Sequence, residues 1–158
     1  MNRRLILGID EGTTAVKAAL FDEELAPVRT VRRVVGVRHP RPGWVEKDPL
    51  EILAAVVDLV ADLLADAPGP VVACGLDHEG ESVLAWDAAT GAPLTPVVVW
   101  QDKRAASVLD DLRDDETEIR RRSGLPLDPY FSAGTVSYTH LRAHETVLDL
   151  VCRLLLEK

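Results

Sequence analysis

Leu5-Ile6-Leu7-Gly8-Ile9 runs apolar into one carboxylate, Asp10, and Glu11-Gly12-Thr13-Thr14 must then turn the chain before a second run, Ala15 to Phe21. A short apolar run bounded by turn residues reads as a buried strand, and it delivers the side chain at its end to the edge of a sheet. Two such runs joined by a tight turn make a β-hairpin. The polar stretch Asp22-Glu23-Glu24 closes the second strand, and Val28 to Val37 supplies a third.

A helix is marked just as clearly. After the turn-rich HPRPGW, Asp48-Pro49-Leu50-Glu51 offers an N-cap, a proline at the first helical position and a glutamate at N3, a capping box with aspartate as the cap. Ile52, Leu53, Val56, Leu59, Val60, Leu63 and Leu64 recur at helical spacing, with Glu51, Asp58, Asp62 and Asp66 on the other side, until Pro68-Gly69-Pro70 stops the run. One face of this helix is therefore expected on a sheet. Val71 to Leu76 reads as a further buried strand. Ser82 to Trp86 and Val97 to Trp100 read as two more, joined through the turn at 87–91, and 102–112 and 116–122 as short polar helices. The order is β-β-β-α-β-β-β.

Composition narrows the function classes. A chain of 158 residues, 47% hydrophobic and 28% charged, suits one globular domain, and a net charge of -8 argues against a general nucleic-acid binder, which a phosphate backbone would repel. Arg29, Arg32, Arg33 and Arg38 cluster on a strand-like segment and read as a solvated strand face. Cys74 and Cys152 form no CxxC spacing, so neither a disulfide framework nor a zinc knuckle is indicated. MNRRLILGID is too short in apolar residues for a signal core or a membrane span, and the expectation is a cytoplasmic protein with no membrane partner.

Chemistry concentrates first at Asp10-Glu11-Gly12-Thr13-Thr14. A glycine in a hairpin turn lets backbone N–H groups approach an anion, and two hydroxyls add donors. A carboxylate there cannot itself attract phosphate; its natural task is to hold Mg²⁺, directly or through water, against a nucleotide's oxygens. Asp-x-Gly-Thr at a strand end is also an ordinary turn, so the assignment needs further matches.

Four stretches supply them. LGIDEGTTAVKAALFD resembles the first phosphate loop of the actin, Hsp70 and sugar-kinase superfamily, and HPRPGWVEKDP is similar to a segment of the FGGY carbohydrate kinases, glycerol kinases above all. GLDHEGESVLAWDAATGAPLTPVVVWQDKR and SGLPLDPYFSA resemble that family's following blocks, in the same order, over residues 4 to 134. The resemblance implies an α/β fold, part of an RNase H-like (actin/hexokinase superfamily) domain with a mixed sheet and flanking helices. It implies ATP and Mg²⁺ as cofactors and a polyol or sugar substrate phosphorylated on a hydroxyl, without a role for nucleic acid. Asp10 would sit near Mg²⁺, and Gly12, Thr13, Thr14 and Lys17 would line the nucleotide phosphates. Lys17 stands where glycerol kinases usually carry arginine. A full-length parent assembled as a homo-oligomer is compatible with it. A different class of protein, a non-catalytic actin- or Hsp70-like nucleotide-binding module, would share the phosphate turn but has no need of a substrate wall.

On the substrate side, the family's Arg-Glu pair for glycerol falls on GES, so that Glu81 matches the glutamate while Gly80 stands in place of the arginine. Glycerol is then a doubtful substrate, a larger polyol or sugar a better one, and His78 and Glu79 are candidate replacement polar groups. Trp100 and Tyr130 match the aromatic substrate wall. Trp44 and Trp86 are assigned to packing. Asp102 and Arg104 read as a salt bridge at a helix start, so that losing Asp102 should matter less than losing Glu81. The general base, the second phosphate loop and the adenosine pocket belong to parts of the family downstream of this region. Residues 1–134 are thus expected to form an incomplete first domain, inactive alone.

The resemblance breaks after PYFSA. Val136 to Thr146 and Asp149 to Lys158 resemble, codon for codon, the translation of a transposase-type sequencing adapter, with Val147 and Leu148 inside its index. Residues 135–158 are therefore expected to be a non-native tail, helical in its leucine periodicity, and the zinc-like spacing of His140, His144 and Cys152 needs no selection for ligation.

Overall fold

A computed structural model describes residues 3–124 and 126–130. In chain order it has β1 (Leu5–Glu11), β2 (Ala15–Phe21), β3 (Pro27–Val34), the two-residue strands β4 (Val37–Arg38) and β5 (Glu46–Lys47), and α1 (Pro49–Ala65). There follow β6 (Val71–His78), the two-residue β7 (Val97–Val98), α2 (Ala106–Leu112), a 3-10 turn at Arg113–Asp115, and α3 (Glu116–Ser123). The expected tail, 135–158, lies outside the described residues. Two compact units divide the described residues: 3–38, 46–80 and 84–97 belong to the first, and 39–45, 81–83, 98–124 and 126–130 to the second.

The first unit is built on a four-stranded sheet in the order β3-β2-β1-β6. β1, β2 and β3 are antiparallel neighbours, while β6 runs parallel to β1, so the sheet is mixed, as expected. Its core is one alternating set of side chains. Leu5, Leu7, Val16, Ala18 and Leu20 from the strands, with Val35, are buried against Ala55, Leu59 and Leu63 of α1. Burying a leucine in this way stabilises by roughly 1.5–3 kcal/mol, which is how the helix period selects its face. The apolar stripe is wider than that face: Leu53 and Leu64 belong to the period yet are exposed.

Asp48 caps α1 through Oδ1, which accepts the Leu50 N–H at 3.0 Å. Glu51 does not complete the capping box. Its Oε1 instead accepts the Gly36 N–H at 2.7 Å, at the point where the expected third strand breaks into β3 and β4 and Val35 turns into the core. Three of the four arginines of the strand face are partnered: Arg29 reaches Asp66 at 3.3 Å, Arg38 reaches Asp48 at 3.2 Å, and Arg33 pairs with Asp58. After α1 the chain passes so close to the N-terminal segment that a Cβ on Gly69 would lie 1.9 Å from the Arg3 carbonyl oxygen, so only glycine fits. Asp22 closes the β2–β3 turn by accepting the Glu24 and Ala26 N–H groups at 3.1 and 2.8 Å.

Three expectations need correction. β6 is a strand but not a buried one: Val72 and Leu76 are 56% and 67% exposed, because β6 is the edge of the sheet and α1 packs chiefly on β2 and β3. Residues 82–86 form no strand, only the isolated bridges Val83↔Val98 and Trp86↔Pro93. Pro93 and Pro96 on the facing segment have no N–H to donate to a ladder. Trp86, expected in packing, is exposed.

In the second unit Val98, Val99, Ala105 and Leu109 are buried. α2 begins four residues later than the sequence suggests, since Asp102 uses its carboxylate on the Arg104 N–H at 2.7 Å and bends the chain into turns first. Trp44 lies under the Arg104 guanidinium, 3.8 Å from the ring centroid, with Arg41 at 4.9 Å. Among the described residues no helix is long and apolar enough to cross a membrane.

Candidate functional site

β1 carries Asp10 to the end of the sheet, and the antiparallel register sets it opposite Lys17 on β2. Lys17 Nζ donates to Asp10 Oδ2 at 3.1 Å, with both side chains about half exposed. The turn between them is closed by the Gly12 N–H donating to the Ala15 carbonyl at 3.1 Å, and the Thr14 carbonyl accepts the Val35 N–H at 3.3 Å. A Cβ on Gly12 would come within 3.3 Å of the Ala15 oxygen, so the turn is tight enough to favour glycine. Carboxylate, glycine, two threonines and a lysine thus share one end of the hairpin.

Directly at this turn lies a cluster that the sequence reading did not assign. Lys47, 1% exposed, donates from Nζ to Glu11 Oε1 at 3.1 Å, to the Gly12 carbonyl at 3.1 Å and to Glu79 Oε1 at 2.7 Å. The Glu79 N–H donates in turn to the Glu11 carbonyl at 2.8 Å. Burial pushes the Glu11 carboxyl above its ordinary value; the Lys47 hydrogen bond and charge oppose this, and the Glu79 charge adds to it. Glu79 thus gives its Oε1 to Lys47. His78 is exposed at the end of β6, its Nδ1 2.9 Å from the Glu79 carbonyl oxygen.

The second unit gathers the candidate substrate wall. Val83 and Val98 exchange N–H to carbonyl hydrogen bonds of 2.9 and 2.7 Å, and Ser82 Oγ accepts the Trp100 N–H at 3.1 Å, which sets 81–83 alongside 98–100. The Trp100 and Tyr130 rings lie 6.5 Å apart, tilted by 52°, and Lys103 Nζ stands 5.0 Å from the Tyr130 centroid. Glu81 has φ +63°, a left-handed backbone that a side chain rarely adopts and that clusters at functional sites. Beside it in sequence, Gly80 has open space: a Cβ there meets nothing within 4 Å.

Asp102 is the buried carboxylate of this unit, 1% exposed. Its Oδ2 accepts the Val45 N–H at 2.6 Å and the Arg104 Nη2 at 2.8 Å, and Oδ1 accepts Arg104 Nε at 2.9 Å. Burial alone would raise its pKa, but the Arg104 hydrogen bonds and charge and the Val45 amide outweigh it and hold the carboxyl below its ordinary value.

The expected phosphate-site residues Asp10, Gly12, Thr13, Thr14 and Lys17 fall in one unit, the first; the expected substrate-site residues do not, since Glu81, Trp100 and Tyr130 belong to the second unit and His78 to the first. Among the described residues no group of three or more His, Cys, Asp or Glu could hold a metal ion. A lone, half-exposed Asp10 is no resident metal site, yet it fits Mg²⁺ that arrives on nucleotide phosphates, since that ion keeps its waters and takes only one or two carboxylates. His140, His144 and Cys152 lie outside the described residues.

Comparison with known proteins gives a consistent picture. A family model described as the FGGY family of carbohydrate kinases, N-terminal domain, matches residues 5–148, running past Gly134 into the tail. A glycerol kinase of Gloeobacter violaceus is 42% identical over 141 residues, covering 88% of this chain and 28% of the relative. Plasmodium falciparum glycerol kinase with ADP superposes with a TM-score of 0.83 at 27% identity, covering 94% of this chain and 30% of that one. Gluconate kinase from Lactobacillus acidophilus superposes with a TM-score of 0.79 at 25% identity, covering 92% and 29%. The chain spans under a third of the length of each of these three proteins.

Proposed function

The chain belongs to the FGGY family of carbohydrate kinases, and on that footing we propose that it is the front part of an enzyme that transfers the γ-phosphate of ATP to a hydroxyl of a polyol or sugar. The observation that carries this reading is the hairpin end where Asp10, Gly12, Thr13, Thr14 and Lys17 come together. Gly12 gives the nucleotide phosphates a close backbone approach, Thr13 and Thr14 supply hydroxyls, and Lys17 supplies positive charge. Asp10 would hold Mg²⁺ directly or through water; bound with the nucleotide, the ion would neutralise charge on the phosphate oxygens. Glu81 would accept a hydrogen bond from a substrate hydroxyl while Trp100 and Tyr130 cover its C–H edges.

Catalysis of this kind is mainly positioning and electrostatics, and the proton acceptor is assigned to a downstream part of the full-length protein. Residues 1–158 alone should then transfer no phosphate. The proposed setting is cytoplasmic, and neither nucleic acid nor a membrane enters the reaction. Residues 135–158 have no part in it; we read them as translated adapter, which the source DNA beyond the Gly134 codon decides.

The acceptor follows from Gly80. A site that hydrogen-bonds hydroxyls discriminates through its buried donors, so a glycine in place of the family's arginine should weaken glycerol and admit a larger polyol or sugar. The open space at Gly80 tolerates the reverse change. In the full-length protein, Gly80→Arg is expected to raise kcat/KM for glycerol relative to the preferred acceptor by about tenfold or more. Steady-state kinetics over an acceptor panel checks it; an unmodified enzyme that strongly prefers glycerol would sink this assignment.

A further inference from the structure

We infer that Lys47 is a positioning residue for nucleotide phosphates, holding the Glu11-Gly12-Thr13-Thr14 turn from its buried side through the Gly12 carbonyl. The inference rests on the kinase reading and adds to it a residue that touches neither substrate nor cofactor. Lys47 Nζ has three donors, and its three contacts use them on the Glu11 carboxylate, the Gly12 carbonyl and the Glu79 carboxylate. In a planar trans peptide the carbonyl and the following N–H point in opposite directions. Drawing the Gly12 carbonyl toward Lys47 therefore aims the Thr13 N–H to the opposite side, away from the ammonium, as a turn that receives an anion requires.

Charge strengthens the argument. Two carboxylates, Glu11 and Glu79, flank the turn at 15% and 6% side-chain exposure, and Lys47 is the cation between them. Glu79 Oε2 is buried and has no hydrogen-bond partner, so this carboxylate depends on Lys47 for its countercharge. Without the ammonium, two poorly solvated negative groups would sit beside the site meant for phosphates, and the turn carbonyl would be released.

The test uses the full-length protein with ATP, Mg²⁺ and its best acceptor. Lys47→Met should raise KM for ATP about tenfold or more, the consequence of losing a hydrogen bond from a charged donor, with KM for the acceptor unchanged. Lys47→Arg should keep most of the affinity. Lys47→Met also strands a buried charge, so the double variant Lys47→Met/Glu79→Gln separates the two roles: its thermal stability should recover while KM for ATP stays raised. Recovery of KM together with stability, or an unchanged KM in a folded Lys47→Met, overturns the inference, as does failure of both variants to fold. An unmodified protein without acceptor-dependent turnover overturns the kinase reading and the inference together.

Discussion

Replacing Asp10 by alanine in the full-length protein is expected to lower kcat about 10²–10³-fold, the usual scale for removing one preorganised electrostatic contributor, while leaving the protein folded. The two halves of this expectation come from the same geometry. Asp10 is half exposed, and its partner Lys17 lies across the hairpin at 3.1 Å. Exposed pairs of this kind contribute about 0–1 kcal/mol, so the strands should not notice the loss. The proposed reaction is another matter, because there Asp10 would hold the Mg²⁺ that neutralises charge developing on the phosphate oxygens. The check is kcat at saturating ATP and Mg²⁺ beside a thermal melt. A variant with ordinary turnover shows that Asp10 is only a turn residue.

Asp102→Ala should do the reverse, touching no chemistry directly but destabilising the protein by about 3–5 kcal/mol, as when one partner of a buried ion pair is removed. The change takes the buried carboxylate away from Arg104, which lies over Trp44, and from the Val45 N–H. Against a total stability of about 5–15 kcal/mol, that is a large fraction. Acid should find the same weak point. The folded carboxyl is held below its ordinary value of 3.8, so its contribution is complete above that pH and is lost as pH falls through the lower folded value. Denaturant melts at neutral pH and below pH 3.8 check both statements: the gap between unmodified protein and Asp102→Ala should narrow in acid. The sequence ranks Asp102 below Glu81 for contact with a substrate hydroxyl; its burial gives it a separate weight in stability.

What could be read without coordinates was local. The apolar run into Asp10, the glycine turn and the capped helix from Pro49 each announce themselves within a few residues, and β1, β2 and α1 lie where those signals put them. The break at Val35 was hidden because it depends on Glu51 preferring the Gly36 N–H, fifteen positions from it, to its own helix cap. The buried character assumed for β6 failed since apolar sequence reports what a strand is fit to bury against, and only topology tells whether anything covers it. Lys47 had a detectable signal, a lone cation between a strand-like run and a helix cap, but Glu11 and Glu79 join it from distant strand ends. Glu81 was named from its motif; its left-handed backbone is a property of the fold that no residue type there advertises.

The most direct test of the account follows the γ-phosphate. The full-length protein is incubated with γ-labelled ATP, Mg²⁺ and a panel of polyols and sugars, with the 158-residue chain alongside, and the labelled products are identified. The account predicts label on an acceptor hydroxyl, more on a larger polyol or sugar than on glycerol, and none transferred by the 158-residue chain. Label that appears only as inorganic phosphate, whatever acceptor is present, would contradict it and identify a nucleotide-driven module in place of a kinase.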